Sequence, residues 1–418
     1  MKKNLYLFAA AVVALGLASC SSDETIESAA LSESNEISFR ALSNGMTRAA
    51  DQTFTHATNN ATFAVTAWKQ GTTSTATNLY INNAIFKSDG TSFKSQTGVY
   101  YWPSDYNLDF YAYAPIDDGV ADQAVDYVAY NSLKVTPGTT ISSQTDLVFA
   151  VTKDWGKAAL QTGTSATHSI SSTYPGVTIN FAHAESKVII KLKNDNPNIK
   201  VTIGDVKIKN LYGAGTYTWT VGTNKYTNET NNYDVTDVVS TGYYLDGTWA
   251  QGGSANVAYT ITMGTDDITD DTPATIARNI FNGTQSARDL TSTASSREMI
   301  LIPQSITTGT QYASSANDAV YDKAYISVQL KIQNKENGAY IIGGTSTWQE
   351  AIWPLTTLTW KAGHSYTYTV NLAGGGYFPD NVDGTDEDLD PILEGAEIEF
   401  VNVSIDSWID ASGINVEM

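Results

Sequence analysis

The chain is expected to fold as an all-β protein of sandwich type, and three observations predict it. Apolar and polar residues alternate in short runs, most clearly in Ile326-Ser327-Val328-Gln329-Leu330-Lys331-Ile332, which puts four aliphatic side chains on one face of a strand. The runs are built from Thr, Tyr, Val and Ile, whose β-branched or aromatic side chains suit a pleated surface. Clusters of Thr, Ser, Asn, Asp and Gly separate them, and helical spacing of apolar residues is nearly absent. The two-residue period recurs in Tyr366–Leu372, Val177–Phe181 and Phe63–Ala67. Leu147–Val151 and Met299–Ile302 are instead continuously apolar, the pattern of strands covered on both faces.

The first residues stand apart from this pattern. Lys2 and Lys3 precede an apolar stretch, Leu5 to Leu17, that is too short for a spanning helix and reads as a signal peptide over residues 1–19. It closes on Leu17-Ala18-Ser19-Cys20, the pattern of a bacterial lipobox, so Cys20 is the expected lipidation site. Cys20 is the single cysteine of the 418 residues, which leaves the folded part without disulfide, thiol nucleophile or thiolate metal site.

The formal charge of −20 repels phosphate backbones and anionic headgroups, so nucleic-acid binding is not expected. Length allows about two domains. The polar, turn-rich stretch Lys193-Asn194-Asp195-Asn196-Pro197-Asn198 marks the boundary, giving a first sandwich over 49–197 and a second over 198–418. Residues 374–390 are polar and rich in Asp, but the spacing fails the EF-hand template because Pro379 falls at the first ligand position. They read as a solvated acidic linker.

No constellation for chemistry stands out. His56, His168, His183 and His364 lack metal-ligand spacing, and there is no HExxH, nucleophile elbow or phosphate-binding glycine loop. No pair of carboxylates is picked out for glycoside hydrolysis. No catalytic residue, metal site or cofactor is therefore expected, and the chain is not read as an enzyme. The nine Trp and 24 Tyr leave a carbohydrate-binding surface open as an alternative.

Several segments in order along the chain resemble the fimbrillins, the lipoprotein pilin precursors of Bacteroidetes. They are Tyr101-Trp102-Pro103 with Leu108–Pro115, Phe181-Ala182-His183-Ala184-Glu185-Ser186-Lys187-Val188, Leu301-Ile302-Pro303-Gln304, Trp360–Tyr368 and Ile405-Asp406-Ser407-Trp408. The acidic Ser21-Ser22-Asp23-Glu24 after the lipid site resembles a surface-export signal of that phylum. The resemblance implies two transthyretin-like β-sandwiches in tandem, a location at the cell surface with an outer-membrane lipid anchor before processing, and other fimbrial subunits as partners. It also implies a structural role for His183, and an arginine-specific protease acting at Arg48-Ala49, because polymerising subunits are matured at such a site.

A role for residues 20–48 as a propeptide follows as an expectation. Ile37 to Leu42 would pair as an edge strand of the first sandwich, with Ile37 and Phe39 in its core. Cleavage after Arg48 would free that strand and leave a slot for a strand from another chain. The candidate donor lies in 396–418, where Ile398 and Phe400 alternate in one phase and Val401, Val403 and Ile405 in the other. Two outcomes stay open: this tail donates, as in a stalk subunit, or it completes the second sandwich at home, as in a tip subunit. The competing function is a surface lipoprotein adhesin or glycan-binding protein that does not polymerise.

Overall fold

The computed structural model describes residues 35–42, 61–70, 76–116 except 91, 125–157 except 141–143 and 145, 160, 168–169, 176–219, 247–261, 280–283, 286–290, 299–307, 312–315, 318–378 except 322 and 375, 393 and 402–407. Apart from a 3-10 turn at Ala76–Asn78, the regular structure of these residues is strand. No helix among them is long and apolar enough to cross a membrane. Cys20, Arg48, Ala49, Ile398, Phe400, Val401 and the acidic residues 380–390 lie outside the described residues.

The first sheet runs, in spatial order, through Val177–Asn180, Phe39–Leu42, Phe93–Ser95, Leu79–Ser88, Thr62–Lys69, Leu108–Ala114, Val148–Gly156 and Ala182–His183. Its central strands are buried on both faces. In Leu108–Ala114 the even-numbered Phe110, Ala112 and Ala114 join Phe63, Val65 and Phe86 in one core, while Tyr111 and Tyr113 join Trp68 and Phe149 in another. A strand with no solvent face has no reason to alternate, hence the run Leu-Asp-Phe-Tyr-Ala-Tyr-Ala.

A second sheet orders Arg288–Asp289, Ser186–Lys193, His364–Asn371 and Asn402–Ser407. A third is organised around the 21-residue strand Ile199–Trp219, which pairs with Tyr325–Asn334 along its first part and with Ser132–Val135 near its end. Val188, Ile190 and Leu192 from the second sheet pack on Val201, Ile208, Ile326 and Leu330 from the third, forming the largest core. Ser186–Lys193 alternates buried and half-buried along its whole length, as expected for a sheet with one wet face.

Two expectations meet a different arrangement. The strand Ser186–Lys193 precedes the boundary drawn at 197/198, yet it pairs in parallel with His364–Asn371 and antiparallel with Met299–Leu301. Conversely, Ser132–Val135 from the first half pairs with the long strand after the boundary. Turn-forming residues at 193–198 mark a chain reversal, and hydrogen bonding across the two halves ignores it. Phe39–Leu42, in turn, is not at an edge: it sits between Val177–Asn180 and Phe93–Ser95.

Candidate functional site

The site is the slot occupied by residues 35–42. Its backbone is held from two directions. On one side the amide of Ile37 donates to the Tyr100 carbonyl at 2.7 Å and that of Trp102 to Asn35 at 2.8 Å. On the other, the Val177 amide donates to the Ser38 carbonyl at 2.9 Å, and the chain continues in parallel register, Phe39 opposite Val177 and Leu42 opposite Asn180. Lys157 Nζ donates to the Asn35 side-chain oxygen at 3.1 Å and pins the entry.

The side chains explain why this segment sits there. Ile37 is 1 % exposed and Phe39 0 %. The Phe39 ring lies edge-on to three others, with centroids 4.7 Å from Phe86, 5.2 Å from Phe110 and 5.8 Å from Phe63. Such contacts add about 0.5–1.5 kcal/mol each to the area they bury. Two fully buried side chains contribute roughly 1.5–3 kcal/mol apiece. Phe39 therefore fills the middle of the first core with a residue that lies only nine positions before Arg48.

The tail is seated differently. Asn402–Ser407 pairs antiparallel with His364–Asn371, Val403 opposite Tyr368 and Ile405 opposite Tyr366, at the end of the second sheet. Val403 is half-buried against the large core, and Ile405 is 49 % exposed. Among the described residues this strand is held by one neighbour, whereas Phe39–Leu42 is held by two.

A relation between these segments is present in the sequence and was missed by reading each for alternation alone. Glu36-Ile37-Ser38-Phe39-Arg40-Ala41-Leu42-Ser43 and Glu397-Ile398-Glu399-Phe400-Val401-Asn402-Val403-Ser404 share Glu, Ile, Phe and Ser at the same spacing, with Leu42 matched by Val403. Aligning the two ends of the chain would have found it. The residues that fill the slot thus have counterparts of the same shape and order near the C-terminus.

His183 belongs to the framework. Its Nδ1 lies 2.7 Å from Asp146 Oδ2, both side chains nearly buried. Next to it, Glu185 Oε2 accepts from the Leu147 amide at 2.7 Å, the Glu185 carbonyl accepts from Gly363, and Ser186 Oγ donates to the Lys361 carbonyl. Residues 183–186 therefore tie the first sheet to the second. Trp360 and Tyr368 close the far side: the indole N–H donates to the phenol at 2.7 Å, and burial drives that phenol far above its ordinary pKa. Among the described residues no three His, Cys, Asp or Glu are grouped to hold a metal.

The described residues form an all-β architecture whose first core includes its own N-terminal strand. A sequence profile described as fimbrillin-like matches residues 47–408, and the chain belongs to that family. The match begins one residue before Arg48, leaving the 35–42 strand outside it. No curated protein sequence matches significantly. Among solved structures, a fimbrial protein from Bacteroides vulgatus is 17 % identical with a TM-score of 0.51, covering 90 % of this chain and 100 % of that one. A proposed cell-adhesion protein from Bacteroides ovatus is 15 % identical over 90 % and 98 % of the two chains, TM-score 0.41. The fimbrial anchor protein Mfa2 from Porphyromonas gingivalis is 11 % identical over 90 % and 98 %, TM-score 0.31. The first of these carries the shared fold.

Proposed function

We propose that this chain is a structural subunit of a cell-surface fimbrium, made as a lipoprotein on Cys20, cleaved between Arg48 and Ala49, and polymerised by donor-strand exchange. The observation that carries the proposal is the repeat of Glu-Ile-x-Phe at 36–39 and 397–400. A slot shaped for Ile37 and Phe39 accepts Ile398 and Phe400 with the same alternation and direction. The partner is then a second fimbrial subunit, and head-to-tail insertion without closure gives a filament. The start of the family match at residue 47 agrees with a mature chain beginning at Ala49.

Energetics favour exchange only after cleavage. While residues 35–42 are tethered, the intramolecular strand outcompetes any donor through its high effective concentration. Cutting the tether removes that advantage. Each junction then regains the two buried side chains, at roughly 1.5–3 kcal/mol each, and backbone bonds of about 1 kcal/mol net apiece.

Digesting the purified precursor with an arginine-specific protease should produce SDS-resistant ladders whose subunits begin at Ala49. Arg48→Ala should stay monomeric. Phe400→Ser should be cut yet fail to polymerise. Ladders from Arg48→Ala would refute the proposal. The home pairing of 402–407 supports a second reading, a tip subunit that accepts but does not donate. A cleaved chain that takes up a synthetic 396–404 peptide, but never forms ladders alone, would establish that role.

A further inference from the structure

The two walls of the slot do not reach equally far along the strand that fills it. Backbone groups of successive strand residues face opposite edges. Ile37 faces the wall of Tyr100, to whose carbonyl its amide donates at 2.7 Å, and Ser38 faces the other wall, its carbonyl accepting from Val177 at 2.9 Å. The Val177 side is continuous: the parallel ladder runs from Phe39 opposite Val177 to Leu42 opposite Asn180. The Tyr100 side stops earlier. Glu36 bridges Tyr101 and Phe39 pairs with Phe93, and among the described residues no pairing on that edge follows Phe39. The backbone of Ala41, two positions on, therefore faces an edge whose wall has ended.

Local turn chemistry explains why the wall ends at Phe93. The turn before it bonds to itself: the Ser92 amide donates to Asp89 Oδ1 at 2.9 Å, and the Asp89 amide donates to the Ser92 carbonyl at 3.1 Å. The Gly90 amide donates to Ser88 Oγ at 3.1 Å, and Lys94 holds Asp89 through an ion pair at 3.0 Å. Both backbone groups of Ser92 are thus directed into the turn and not at residues 40–42. The other end of the strand is held on both edges and by a side chain as well. There the Trp102 amide donates to the Asn35 carbonyl at 2.8 Å, and the buried Lys157 donates its Nζ to the Asn35 side-chain oxygen at 3.1 Å.

We propose that the slot strand opens from its Leu42 end, and that a cut after Arg48 releases it because the cut frees that end. Opening at Leu42 breaks one ladder, whereas opening at Asn35 breaks bonds on both edges together with the Lys157 contact. In the uncut chain the Leu42 end is tied through residues 43–60 to Thr62–Lys69 in the same sheet, so a frayed end is returned to its place. A cut before Asn35 would leave that tie whole and free only the firmly held end. After a cut at Arg48, an incoming strand pairs first with Ile179 and Asn180 and displaces residues 42 to 35 in that order. This last step rests on the strand exchange proposed above; the order of opening is a property of the chain by itself.

Hydrogen–deuterium exchange of the whole chain, read at single amides by fragmentation mass spectrometry, tests the order before and after cutting with an arginine-specific protease. Leu42 should exchange at least about tenfold faster than Ile37, because its opening breaks fewer bonds. The cut should speed Leu42 further and change Ile37 by less than about twofold. Equal rates at the two amides, or an equal rise at both on cutting, would mean that the strand leaves as one unit and would overturn the inference. Labelled synthetic peptides then follow displacement in the cut chain once the protease is quenched. A copy of residues 33–45 should slow by at least about tenfold on truncation to 33–39, and by less than about threefold on truncation to 37–45. The reverse ranking would also overturn the inference. Faster exchange at Leu42 with no entry of any peptide would uphold the order of opening and refute strand exchange itself.

Discussion

Phe39 stands directly opposite Val177 in a parallel ladder, its ring enclosed by Phe63, Phe86 and Phe110. Parallel pairing joins segments far apart in sequence, here the N-terminal strand and a strand 138 residues later. It brings Ile37 and Phe39 into the first core through a partner strand far along the chain.

The first prediction concerns that ring. Phe39→Ala in the uncleaved chain removes a fully buried aromatic and should lower unfolding free energy by about 3–5 kcal/mol. Urea denaturation of the precursor would measure it. Ile37→Ala should cost about 2–4 kcal/mol by the same argument. A loss below about 1 kcal/mol for Phe39→Ala would mean the slot closes around the vacancy.

Asp146 and His183 provide the second. Asp146→Ala removes the hydrogen-bond partner of the nearly buried His183 ring. Leaving that ring nitrogen unsatisfied should destabilise by about 1–3 kcal/mol. Because residues 183–186 link the first sheet to the second, limited proteolysis should then cut near 183–198 before global unfolding.

A third prediction concerns pH. Glu350 is partly buried, which works against ionisation, but hydrogen bonds from Lys209 and Ser327 outweigh burial and hold its pKa below the usual value. A depressed carboxylate contributes stability above its unfolded pKa and loses it as pH falls through the folded one. Acid-limb stability of the parent should therefore fall more steeply below about pH 4.5 than that of Glu350→Gln. The difference at neutral pH should be small, about 0.5–1 kcal/mol, since both partners are partly solvated. Parallel melting curves from pH 3 to 7 would show it.

Two glycines with similar backbone angles give the fourth. Gly283 (φ +83°) and Gly338 (φ +70°) both adopt the left-handed region. A Cβ on Gly283 would fall on the Asn196 carbonyl, whereas one on Gly338 would meet open space. Gly338→Ala should cost about 1–2 kcal/mol for backbone strain alone. Gly283→Ala adds a backbone collision and should be clearly worse, which thermal melts of both variants would show.

Much of the strand inventory was legible because half-buried strands write their geometry into residue order. Residues 326–332 and 366–372 alternate in sequence, and burial alternates with them over 328–333 and 366–370 within the strands Tyr325–Asn334 and His364–Asn371. Residues 108–114 were harder to place, since burial on both faces erases the alternation. The seat of residues 37–42 was legible only as strand-forming tendency. Its parallel partner at 177–180 and its interior position depend on which sheets close around it.

By itself, the sequence determined the β class and carries the matching Ile and Phe pattern of residues 36–39 and 397–400. These follow from local properties: side-chain period, turn chemistry and residue identity. Tertiary structure alone decided that Ser186–Lys193 joins strands from the second half and that Phe39 is enclosed by rings drawn from three other strands. The physical reason is that hydrogen-bond ladders pair any two strands of compatible register, so neighbours in a sheet are chosen by the burial they achieve together and not by their distance along the chain.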